Sequence, residues 1–373
     1  ERLQAAGFES GTAVQGEPRD ARQALQQRAD AGRPLHWIAT TPECAAWTVF
    51  EGLNAKFPAL GQARLITPTS YRWATFLQRD NLLNVANQIA VVAILAIGMT
   101  MVIITGGIDL SVGSLIALAA VVTTLGIRDF GGGVEAGSPA LVLCSLGGIL
   151  ACALSGLFSG VMITVFRIPP FIATLAVMQV ASGLAYILAR GGSIYEVPDS
   201  FTWLGRGTGL FGIPHAVVLM LGLYVAAHLL MARTVFGRHI YAVGSNVETA
   251  RLCGVNVPRV LLAAYTLCGA LAGLGGVVLT SQLKTGAPTY GLANELYVIA
   301  AVVVGGTSLS GGSGRIFGTL IGAFIIGVIN NGMNLTGVQS YTQKVVLGLV
   351  ILGAVLLDLL KKRSSGSAGS AGS

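Results

Sequence analysis

Between Arg233 and Val260 the chain carries four arginines (Arg233, Arg238, Arg251 and Arg259) together with His239, Tyr241, Asn246 and Glu248, in a region otherwise written in apolar residues. A basic, hydrogen-bonding island of that kind cannot lie in hydrocarbon. It must protrude on one side, and the chemistry it supports is recognition of another surface. Catalytic chemistry finds no such concentration. His36, His215, His228 and His239 are scattered, with no HxxxH and no carboxylate at ligand spacing, so neither a metal site nor a triad is predicted. Cys44, Cys144, Cys152, Cys253 and Cys268 show no paired metal spacing, and four of them lie in or beside apolar segments as small packing residues. No GxxxxGK[ST] occurs, so nucleotide hydrolysis would belong to a separate chain. The chain reads as a non-enzyme.

The elements that hold the island follow from charge and hydropathy. Of 39 charged residues, 17 fall in positions 1–80, and from Asn81 onward the sequence runs through repeated apolar stretches long enough to cross a bilayer. The expected fold is an all-α polytopic membrane protein. Fifty-one glycines suit a membrane bundle, where small residues let helix backbones approach. Ser155-Gly156 with Ser159-Gly160, Gly269 with Gly273, and Gly318 with Gly322 predict packing faces. The net charge of +7 is of the sign that arginines give when they hold loops in the cytoplasm, so nucleic-acid binding is not inferred.

About nine spans are predicted, at 82–105, 111–126, 139–165, 170–190, 214–232, 259–283, 294–308, 315–335 and 343–360. Alternate loops hold Arg167, Arg233, Arg238, Arg251, Arg259, Arg315, Lys361, Lys362 and Arg363 on one side, against Arg128, Arg190, Arg206, Lys284 and Lys344 on the other. The more basic set, island included, is expected in the cytoplasm with the C-terminus. Residues 1–80 then form a polar extracytoplasmic extension, 81–360 a transmembrane domain with the segment 233–260 inside it, and 361–373 a flexible Ser/Gly tail, native or a linker. The absence of an initiator Met and a signal peptide predicts a fragment or processed form whose upstream part held a further span.

Within the island, Gly237 is expected to end the preceding helix. A short helix should start from Ser245 or Asn246, carry Glu248 in its first turn and stop at Gly254. An internal echo is also visible. Apolar spans flank Gly106 to Ser114 and again flank Gly305 to Gly314, a plan that suggests two pseudo-symmetric halves, although Gly and Ser also simply make tight turns. Gly305 and Gly306 are read as structural loop residues. Asp109 is placed at a cytoplasmic span end as a helix cap, with Ser111 as its competitor. The polar residues Thr105, Gln179, Asn330, Asn331 and Asn334 are candidates to line a pathway, each of which could equally bond one helix to another.

The stretch Gly237–Val257 resembles the cytoplasmic coupling segment of ribose/xylose-type monosaccharide ABC transporter permeases. The likeness continues through 98–114, 169–175, 300–315 and 330–338 and covers about 81–360. It implies the membrane subunit of a sugar importer in the bacterial inner membrane. Its implied partners are a second permease copy or sister permease, a cytoplasmic ATP-binding-cassette ATPase, an extracytoplasmic sugar-binding protein and membrane lipid. By the same likeness ATP and Mg are held on the partner ATPase, no cofactor or metal is bound by this chain, and Gly237, Arg238, Tyr241, Gly244, Asn246, Ala250 and Gly254 are ATPase-contacting positions. Transport by alternating access would carry a ribose-, xylose- or galactose-like sugar. Family members open with a cytoplasmic tail and a first span just before the segment matching 75–85, where this chain has its polar extension; a ten-helix bundle lacking its first span accounts for nine, and the extension is an inserted domain or a domain remnant. An ion-coupled secondary carrier is the alternative, favoured by the echo and disfavoured by the lack of mid-span acids. A signalling membrane protein is a third reading.

Overall fold

A computed structural model of the chain describes residues 14, 16–67, 75–209 and 212–369. It divides into two compact units, Glu1–Thr75 and Phe76–Ser373, a boundary a few residues before the charge-based one at Asn81.

The first unit is small. Its helix α1 (Pro18–Asp30) starts from Glu17 with a reciprocal capping box to Asp20. Strand β1 (Trp37–Ala39) pairs in parallel with β2 (Arg64–Ile66), Ile38 opposite Leu65. Parallel strands need a crossover, and the short helices α2 (Pro42–Ala45) and α3 (Leu53–Lys56) lie within it. Leu25, Leu53, Phe57, Leu60 and Ala63 form its core.

Among the described residues of the second unit seven helices are long and apolar enough to span a membrane: α4 (Arg79–Ile104), α5 (Val112–Asp129), α6 (Ser138–Thr164), α7 (Pro170–Leu188), then, after the short α8 (Trp203–Arg206), α9 (His215–Arg233), and, beyond two island helices, α10 (Val235–Ser245) and α11 (Val247–Leu252), the long α12 (Val257–Leu283). The shorter α13 (Asn294–Val304) precedes the seventh, α14 (Ile316–Leu335). Helix α15 (Ser340–Gly369) follows, with its apolar part at Ser340–Leu356. Seven long and two shorter apolar helices stand where nine spans are expected. Helix continues through 361–369, where composition predicts a flexible tail, because extending an existing helix needs no new nucleus; residues 370–373 lie outside the described residues.

Helix α4 is the central element. Most of its apolar stretch is enclosed, whereas α6 and α7 leave theirs largely outside. The reason helices can crowd it is glycine. Gly156 and Gly269 face each other across the α6–α12 crossing, where a Cβ on Gly269 would come within 3.1 Å of the Gly156 Cα. One turn on, a Cβ at Gly273 would meet the Ile149 Cα at 2.9 Å, and at the other end one at Gly160 would meet the Leu262 Cα at 3.1 Å. Gly318 and Gly322 give α14 the same backbone-close seat against α13, at Gly305 and Ala301. Polar pairs tie the layers: Thr100 and Thr319 hydroxyls at 2.8 Å, and Tyr224 donating to the Ala93 carbonyl at 2.9 Å.

The two halves of the internal echo end their first helices identically. After α4, Gly106 N donates to Ile103 O and Gly107 N to Val102 O; after α13, Gly306 N donates to Val303 O and Thr307 N to Val302 O. Gly106 and Gly306 sit at φ 84° and 87°, the left-handed residue of a Schellman end.

Candidate coupling and translocation site

The island is two helices, not one. Helix α9 ends at Arg233 and the Thr234 side chain accepts from Gly237 N at 3.3 Å, starting α10 at once. Gly237 therefore does not terminate the preceding helix as expected. It lies buried in the first turn of α10, pressed on Met231, whose Cα would stand 2.6 Å from a Cβ there. The second helix, α11, follows the sequence reading. Asn246 accepts from Thr249 N at 2.9 Å, Glu248 lies in the first turn, and Gly254 turns the chain out at φ 82°. Ala250 is buried against the bundle and seats this helix. Its outer tip is exposed: Leu252, Cys253 and the Glu248–Arg251 ion pair at 3.0 Å. Arg238 projects into solvent from α10.

Beneath the island the two echo loops converge. A Cβ on Gly244 would overlap the Ile104 carbonyl and stand 2.6 Å from Gly312 N. Gly312 N itself donates to Ile104 O at 2.8 Å. Tyr241 donates to the Gly314 carbonyl at 2.8 Å, and burial pushes its phenol above the usual range, keeping it a neutral donor. An open cleft of about 430 Å³ lies here between Tyr241, Gly305, Gly306, Gly312, Ser313, Gly314, Arg315 and Gly318. So Tyr241, Gly244, Gly305 and Gly306 are brought together; Arg238, Asn246 and Gly254 stay on the outer face.

Asp109 is not at a surface loop. The segment after Gly107 runs back into the bundle, and the Asp109 carboxyl is fully buried against Cys268 and Tyr265, inside α12. Its Oδ1 accepts from Ser111 N (2.9 Å) and Ser111 Oγ (2.6 Å), while Ser111 occupies the position before α5 without a side-chain cap of its own. The expectation of a carboxylate at a span end is thus corrected: the Gly-rich break is re-entrant.

The five pathway candidates separate. Thr105 is buried and bonds the Val102 carbonyl at 2.7 Å, closing its own helix. Asn331 and Asn81 exchange two hydrogen bonds, 3.0 and 3.2 Å, clamping α14 to α4. Asn334 accepts from Gln343 at 2.8 Å between α14 and α15. These three are spent on helix contacts. Asn330 is half-buried and Gln179 exposed on α7, and both keep their amides available among the described residues. Sequence reading also missed a residue: Glu295, in the first turn of α13, whose carboxylate oxygen occupies the space a Cβ on Gly113 would need. Its signal was a lone acid two residues into an apolar span.

On the opposite face, Ile194 N donates to Gly286 O at 2.8 Å, Arg206 Nε to Gln282 O at 2.5 Å, and Lys284 pairs with Asp199, whose carboxyl that ammonium holds below the usual range.

A family described as "Branched-chain amino acid transport system / permease component" matches residues 81–355. The chain belongs to this permease family. It is a transport component, not an enzyme. The permease is 44% identical over 314 residues to the ribose import permease protein RbsC of Bacillus subtilis, covering 84% of this chain and 95% of the relative. It is 43% identical over 302 residues to the RbsC of Escherichia coli K12, covering 80% of this chain and 91% of the relative. Against the D-allose transport system permease protein AlsC of the same bacterium it is 35% identical over 285 residues, 76% of this chain and 85% of the relative. No solved structure matches the permease significantly.

Proposed function

We propose that the chain is the membrane permease subunit of an ATP-binding-cassette importer that carries a monosaccharide of the ribose class across the bacterial cytoplasmic membrane. The family description speaks of branched-chain amino acids, but relatives with 40–44% identity over most of their length are ribose import permeases. The more similar chains carry more weight for substrate.

The single observation that supports coupled transport is the seating of Gly244 on Ile104, with Gly312 bonded to the same carbonyl. One protruding segment thereby touches the breaks of both half-repeats. Our reading is that a cytoplasmic ATPase pair, holding ATP and Mg, grips the exposed side of α10 and α11 through Arg238, Asn246 and Gly254, while Gly237, Tyr241 and Ala250, turned inward, seat those helices on the bundle instead of meeting the ATPase. Its closure displaces both breaks, and the bundle alternates its opening. A sugar-binding protein delivers substrate to the face of Asp199 and Lys284, and a second permease copy or sister permease covers the exposed apolar rows of α6 and α7. In this reading the island and C-terminus are cytoplasmic and residues 1–80 form an extracytoplasmic extension outside the transport domain 81–360. Gln179 and Asn330 remain the polar pathway candidates.

Asp109 and Glu295 inside the bundle lend the ion-coupled carrier an observation that the sequence alone denied it. Proteoliposomes decide between the two. Uptake of radiolabelled ribose that requires a co-purified ATPase, internal ATP and a binding protein upholds the importer. Uptake driven by a proton or sodium gradient without ATP overturns it.

A further inference from the structure

Glu295 stands close to the middle of the bundle. Cys152, midway along α6, donates to the Leu115 carbonyl at 3.2 Å, and Gly113, against which the Glu295 carboxylate lies, is two residues below Leu115, about 3 Å along the helix axis. The chain reaches that depth because residues 284–293 descend beside α5: Gly286 packs on Thr124 near the far end of α5, and Gly291 on Gly113 near its start. The carboxylate then begins α13, whose preceding residue, Ala293, is held at φ 64°, a conformation that an alanine adopts only under constraint from its surroundings. Among the described residues no other residue donates to it, and its flanks, Leu292 and Leu296, are exposed.

A carboxylate at this depth facing lipid would be strongly disfavoured. A cation from a second copy does not answer it either, since the interiors of α4 to α7, α9 and α12 to α14 contain no Lys or Arg. What suits it is a neutral, polyhydroxylated solute whose O–H groups donate to it in passing. Charge-assisted hydrogen bonds of that kind are strong enough to select and weak enough, one at a time, to release.

We propose that Glu295 lines the translocation path at mid-membrane and accepts hydrogen bonds from the hydroxyl groups of the sugar. This rests on the importer reading above. Two measurements test it in proteoliposomes with ATPase and binding protein. In a background with Cys44, Cys144 and Cys253 replaced by Ser, Glu295→Cys is exposed to a charged, water-soluble thiosulfonate; modification that ribose turnover slows places the residue in an aqueous path. Ribose uptake is compared across variants: Glu295→Ala is expected to lose about tenfold or more, and Glu295→Gln, whose amide carbonyl still accepts, to keep an intermediate rate. No modification of Glu295→Cys, or Glu295→Ala uptake equal to wild type, overturns the proposal. Wild-type protein that fails to take up ribose with its ATPase and binding protein overturns the importer reading instead.

Discussion

Gly244 rests directly on the carbonyl oxygen of Ile104, leaving no room for a side chain between the island and the end of α4. At this point the helix that reaches toward solvent and the helix at the centre of the bundle touch backbone to backbone.

Gly244→Ala follows from that contact. The added methyl must part α10 from the end of α4, and from the Gly312 backbone as well, an overpacking cost of about 1–3 kcal/mol. Thermal unfolding in detergent should show the loss, and ribose-stimulated ATPase activity of the assembled complex should fall further than stability does. A variant of unchanged stability and stimulation would contradict the seating.

Arg238→Glu tests the outer face. The residue is exposed and serves no packing role, so the melting temperature should stay within about 0.5 kcal/mol equivalent of wild type. Co-purification with the ATPase should weaken several-fold and lose less on addition of salt than wild type does, because salt screens the new repulsion. Unaltered capture would remove Arg238 from the contact.

Asn81 and Asn331 exchange hydrogen bonds across α4 and α14. A double-mutant cycle with alanine should return a coupling of about 0.6 kcal/mol, and not above about 1.7. Additive single effects would mean that each amide finds another partner.

Cys253 is the exposed cysteine among the described residues, while Cys152 and Cys268 are buried. A membrane-impermeant maleimide should label it in inside-out vesicles and not in right-side-out ones. The reverse pattern would invert the orientation proposed here.

Span positions were legible because hydropathy acts over a whole window: α6, for example, was expected at 139–165 and runs from Ser138 to Thr164. The glycine faces at Gly156, Gly269 and Gly318 were legible for the same kind of reason, a repeat at helical spacing. Depth was not. A Gly-rich break reads as a surface turn whether it lies in water or folds back, so Asp109 was placed at a span end while it is buried on α12. Helix α10 was hidden by its own glycines, Gly237 and Gly244, which lower helix propensity but are required by close neighbours. For Thr105, Asn331 and Asn334 pathway lining and bonding between helices stayed equally open, because a sequence cannot say whether a polar side chain faces a neighbouring helix or open space.

Where Gly244 and Gly312 meet the Ile104 carbonyl the contact is backbone to backbone, and that also sets how the joint bears load. Side chains give way by changing rotamer, which takes up small displacements before they travel. Backbone against backbone has no such slack, so a shift of the island by a fraction of an ångström must move α4 and the α13–α14 turn together. The glycines make the joint stiff, so that in the proposed importer little of a stroke delivered to the island would be lost in it.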